Sequence, residues 1–137
     1  MARTVRDVVI YVHGAVAPSD TEWEAVLDVY RQAAFPSRLR TLVYTEGGAP
    51  NPKQRARLSA EAFAGKAPIA VLTTSALARA AGIALGWFNP RIRIYGPGQI
   101  DRALDHLLVP TEDRGAVREA LGELRQQLSD GAGASPA

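Results

Sequence analysis

Hydrophobic and polar positions along this chain fall into a repeating order. Val8-Val9-Ile10-Tyr11-Val12 is apolar without interruption, the pattern of a strand covered on both faces of a parallel sheet. Ser19-Asp20-Thr21-Glu22 follows, with a capping residue three positions ahead of a glutamate. Trp23, Val26, Leu27 and Tyr30 then recur at helical spacing, predicting a helix over 21–33. Leu39–Thr45 reads as a second strand. Asn51-Pro52 starts a second helix, with Asn as cap, Pro at the first helical position and Gln54 at the third, and Gly65 stops it after about Phe63. Pro68–Thr73 is a third apolar run, and Thr74 or Ser75 caps a third helix to Leu85. In Arg91-Ile92-Arg93-Ile94-Tyr95 charge alternates with apolar bulk, which predicts a fourth strand with one wet face or at an edge of the sheet.

A fourth helix is predicted over 99–108. Thr111 caps a fifth helix to Leu128, with Val117, Leu121, Leu124 and Leu128 on one stripe. The small residues of 129–137 predict a disordered tail. The order β-α-β-α-β-α-β-α-α implies an α/β fold: a four-stranded, mainly parallel sheet with helices on both faces and an extra C-terminal amphipathic helix. Residues 1–128 then form a single domain.

Composition narrows the chemistry. The chain has 137 residues, 47% hydrophobic and 22% charged, as in globular domains. It has no cysteine, which removes disulfides, thiolate metal sites and a cysteine nucleophile. With His13 and His106 as its only histidines, no metal and no cofactor is expected. The net charge is +2, and acidic residues are interspersed with the arginines, so a nucleic-acid partner is not expected. The stretch 67–90 carries one charged residue after Lys66, Arg79, but Pro68, Gly82, Gly86 and Pro90 break it up. No membrane association is expected, and a cytoplasmic location is.

In an open α/β sheet, ligands gather at the carboxyl ends of the strands. Those ends hold His13-Gly14, Thr45-Glu46-Gly47-Gly48, Thr73-Thr74-Ser75 and Gly96-Pro97-Gly98. Gly47-Gly48 feeding the helix start at Asn51, with Lys53 and Arg55 close behind, can hold an anion on backbone N–H groups. Equally, those glycines only permit the turn. His13 and Glu46 form the one candidate base-and-orienter pair, but no nucleophile elbow accompanies them. His106 reads as structural. Trp87-Phe88 reads as core, or as an exposed anchor for a partner.

The chain resembles the STAS domain, the fold of the SpoIIAA anti-sigma-factor antagonists, over about 7–108. Asp7–Gly14 looks like that family's central strand and trailing glycine, and Ser19–Ala33 like its first helix. Leu39–Thr45 and Ile69–Thr73 look like the next two strands, and Arg91–Tyr95 with Gln99–Leu104 like the closing strand and helix. The family opens with one more strand, in a hairpin with the central one, and Met1–Arg6 is too short to be expected to supply it. Its switch hydroxyl sits in an Asp-Ser-[Ser/Thr]-Gly stretch. Here Ala49-Pro50-Asn51-Pro52 has no hydroxyl, so a phosphorylation switch at that place is not expected.

The resemblance implies a bacterial, non-catalytic regulatory module that docks on another protein, of kinase or anti-sigma type. The docking surface expected is Gly47, Gly48, Asn51, Lys53, Gln54 and Arg55. The alternative is a small-molecule or anion-binding domain for a nucleotide or phosphate, with or without an enzymatic activity, using His13, Thr45, Glu46, Thr73, Thr74 and Ser75. A homo-oligomer joined through the last helix is a third reading.

Overall fold

The computed structural model describes residues 1–33, 38–62, 67–76, 79–80 and 91–133. Five strands form one sheet: β1 (Ala2–Val5), β2 (Val8–His13), β3 (Arg40–Thr45), β4 (Ile69–Thr73) and β5 (Ile92–Tyr95). They lie side by side in chain order. β1 is antiparallel to β2 and the other pairs are parallel. Four helices are described: α1 (Asp20–Arg31), α2 (Pro52–Ala62), α3 (Ile100–His106) and α4 (Thr111–Gly133).

The sheet is thus α/β as expected, but mixed and five-stranded rather than four-stranded. The missed strand is Ala2–Val5. It pairs with β2 from Ala2–Tyr11 to Val5–Val8 across the two-residue turn Arg6-Asp7, with Arg6 at φ 54°. A left-handed arginine carries no sequence signal, because glycine or asparagine normally marks such a turn. The amino terminus is also tied down. The Met1 amine donates to the Val12 carbonyl at 3.0 Å, and the Val12 amide to the Met1 carbonyl at 2.8 Å.

All six β2 residues are buried, because alternate side chains feed two cores. Val9 and Tyr11 pack with Trp23, Val26, Leu27 and Tyr30 of α1. Val8, Ile10 and Val12 pack with Leu42, Tyr44, Ala70 and Leu72 against α3 and α4. Adding parallel strands successively on one side, each by a right-handed crossover, keeps the connecting helices on one face. Accordingly α1 packs on α2. After β5 the chain changes face.

The stripe on α4 is covered by its own sheet. Val117, Ala120, Leu121 and Leu124 are buried there, and Leu128 packs at the margin. This leaves the homo-oligomer reading without the unpaired stripe that motivated it. Arg3 with Glu123 (2.5 Å) and Arg6 with Asp113 (3.5 Å) tie β1 and its turn to α4. The helix also continues to Gly133, so 129–133 are helical rather than a disordered tail. β5 lies at an edge, one of the two settings its alternating arginines allowed, with Arg93 exposed. His106 is structural, its Nε2 lying 2.8 Å from the Arg91 carbonyl. Most of the predicted helix to Leu85, the Trp87-Phe88 pair, the end of the second helix at Phe63 and residues 134–137 lie outside the described residues.

Candidate functional site: the carboxyl rim of the sheet

Strand alternation divides the candidate residues between the two faces. His13 follows Tyr11 on the α1 face, stacked on its ring at 4.8 Å between centroids. Glu46 follows Tyr44 in register and is aimed at the α4 face. Its carboxylate lies 3.7 Å from where a Cβ on Gly14 would sit, and Leu128 lies 3.9 Å from that point. The two are joined only through the backbone, where the Glu46 amide donates to the His13 carbonyl at 3.2 Å. Their carboxylate and imidazole therefore do not form a base and its orienter. His13 is also a weak base. Burial, reinforced by the nearby amino terminus and opposed by a hydrogen bond with the Gly14 backbone, lowers its pKa to about 4.

Two hydroxyls at this rim, those of Thr45 and Thr73, are engaged in shaping turns. Thr45 is buried, donates from Oγ1 to the Gly48 carbonyl at 2.6 Å and accepts the Gly47 amide at 3.1 Å. His13 Nδ1 is 3.4 Å from the same oxygen. With its one proton on Gly48, Thr45 meets His13 as an acceptor. Thr73 is fully buried and accepts the Ser75 amide at 3.1 Å. The exposed Thr74 donates its amide to the Thr45 carbonyl at 3.4 Å, lacing β3 to β4. Of the six residues expected to bind a small ligand, the structure brings His13 and Thr45 together, places Thr73, Thr74 and Ser75 at the next strand end, and turns Glu46 to the other face.

The loop from Thr45 to Asn51 is tied down by hydrogen bonds and close backbone contacts. Gly47 has φ 129°, a conformation that side chains disfavour. Gly48 donates to the Gly14 carbonyl at 3.0 Å, and a Cβ on it would lie 2.8 Å from that oxygen and 2.7 Å from the Val16 carbonyl carbon. Only glycine fits there. Asn51 caps α2 as expected, and Gln54 answers it: Asn51 Oδ1 accepts the Gln54 amide at 2.8 Å, and Gln54 Oε1 accepts the Asn51 amide at 3.0 Å.

Gln54 is not presented to a partner. It is 3% exposed, and its Nε2 donates to the Pro18 carbonyl at 3.0 Å and to Asp20 Oδ1 at 3.1 Å. Its carbonyl accepts Trp23 Nε1 at 2.8 Å. Gly48 is likewise buried. The surface actually displayed is Asn51, Lys53 and Arg55, with half-buried Gly47 behind them. Arg55 Nη1 donates to the Pro50 carbonyl at 2.8 Å, which orients the guanidinium over the loop.

Two features of this rim escaped the sequence reading. Val16 is 82% exposed, on the loop that packs against Gly48. Arg57 lies one turn beyond Lys53 and pairs with Glu24 of α1 at 2.6 Å. Helical spacing could have found Arg57, but nothing local marks Val16. Among the described residues no three His, Asp or Glu side chains gather as metal ligands, and no helix is long and apolar enough to cross a membrane. No family model, curated protein or solved structure matches this chain.

Proposed function

We propose that this chain is a non-catalytic interaction module of STAS type that docks an acidic surface of another protein at the start of α2. One observation carries the reading. The first turn of α2 holds no acidic residue and presents Lys53 and Arg55, both exposed, at the positive end of the helix dipole. Cations there are disfavoured by about 0.3–1 kcal/mol each, and a carboxylate brought by a partner relieves that cost. Exposed Val16 beside the loop adds an apolar contact, and the stiff Gly47–Gly48 turn spares the ordering cost of binding.

The hairpin strand Ala2–Val5 supports the family resemblance, since it supplies the element that the first six residues were not expected to form. The alternative, a nucleotide or phosphate site at the strand ends, is supported less. Its Thr45 and Thr73 hydroxyls already hold turns.

The test is affinity capture from native extract with the natural chain and with the double variant Lys53→Glu, Arg55→Glu. A protein captured by the first and lost by the second, with unchanged melting, fits the proposal. Equal capture by both removes the surface from consideration.

A further inference from the structure

On the other face of the sheet, the end of β3 and the last turns of α4 enclose an open groove of about 650 Å³. Its walls include Gly14, Tyr44, Glu46, Gly122, Arg125 and Leu128. The groove is open to solvent, with Glu46, Gly122 and Arg125 exposed along it. Its position fits the general rule that α/β sheets bind ligands beyond the carboxyl ends of their strands.

Among the described residues the groove is lined by one charge of each sign, Glu46 and Arg125. The Arg125 guanidinium carbon stands 4.3 Å from the centre of the Tyr44 ring. A guanidinium laid on an aromatic face keeps its N–H edge for an acceptor. Arg114 and Arg118 on the same helix are paired with Asp105 and Asp101. Among the described residues Arg125 has no carboxylate partner, and neither does exposed Glu46 have a cation. Gly122 has no atom within 4 Å of where a Cβ would be, so the helix leaves space beside the two charges. Leu128 supplies an apolar wall.

Charge balance selects the ligand. A phosphate or other multiply charged anion would satisfy Arg125 but be repelled by Glu46, and a simple cation would meet the reverse. A molecule with one positive and one negative end suits both, and the size of the groove exceeds a lone amino acid. We propose that this groove binds a short peptide with both termini free, its carboxylate on Arg125, its ammonium on Glu46 and an aliphatic side chain against Leu128. The site lies on the opposite face of the sheet from Lys53 and Arg55, and the proposal does not depend on docking there.

The probe is the tripeptide Ala-Leu-Ala, titrated into the full chain and followed by amide NMR shifts. Saturable shifts are expected at Gly14, Glu46, Gly122 and Arg125. Acetylating the amino end or amidating the carboxyl end should each weaken binding about threefold to fivefold, the range for one part-exposed ion pair. Glu46→Gln should abolish the effect of acetylation alone, and Arg125→Gln the effect of amidation alone, with melting unchanged in both. Absence of saturable shifts, or affinity indifferent to capping, overturns the proposal.

Discussion

His13 couples the carboxyl rim to pH. Its folded pKa is near 4 and its unfolded value near 6.5, so between these pH values the unfolded chain binds a proton that the folded chain refuses. Stability therefore falls as pH drops from about 6.5 to about 4, by up to about 3 kcal/mol. A His13→Phe variant, which keeps a ring on Tyr11, should lack that part of the acid limb in denaturant titrations across the window. Two buried tyrosines on this same face form a second contrast. Tyr30 shares a hydrogen bond with Thr41, and burial pushes its pKa up to about 12. The Tyr11 hydroxyl is buried without a partner among the described residues, and burial, with Glu22 nearby, raises its pKa further. Tyr30→Phe should cost about 1 kcal/mol, whereas Tyr11→Phe should be neutral or stabilising, because it deletes an unsatisfied group. Equilibrium unfolding of both variants checks the difference.

Among the elements, those with strong local signals were readable in the chain. Ser19 caps α1 by accepting the Glu22 amide at 3.1 Å, ahead of an apolar period, and Asn51 caps α2 just before Pro52. β1 was not readable, since Ala2-Arg3-Thr4-Val5 has little apolar bulk and its turn rests on Arg6. It is held by its pairing with β2 and by Ala2 and Val5, which pack against the two cores. The length of α4 was underestimated because helix beyond Leu128 continues without a new apolar stripe. Leu124 is 3% exposed in the core between this helix and the sheet. Leu124→Ala should cost about 2–5 kcal/mol with no change in the mass of the native species. Denaturant midpoints with light scattering separate this cis packing from an interface between copies, in which the substitution would lower the mass.

For the whole molecule, the sheet separates two surfaces at one rim. The basic start of α2 lies with α1 on one face, and the groove of Glu46 and Arg125 lies on the other. Docking through Lys53 and Arg55 is electrostatic and exposed, so capture should weaken as salt is raised beyond physiological strength, where the screening length falls below about 8 Å. Capture measured over a salt series tests this, and a salt-independent yield would point to an apolar contact instead. The candidate site was only half legible in the sequence. Lys53, Arg55 and the glycine turn lie in one short stretch. Arg125 meets Tyr44 across 81 positions of chain, and Val16 meets Gly48 across 32.

Apolar period and capping chemistry are local, and they were enough to determine the α/β class, the four parallel strands and the starts of α1 and α2. Which face each side chain takes is decided by strand register and by the side on which each crossover passes, and both are set by pairing between distant segments. Tertiary structure alone therefore parted His13 from Glu46, turned Gln54 inward and brought Arg125 to the rim.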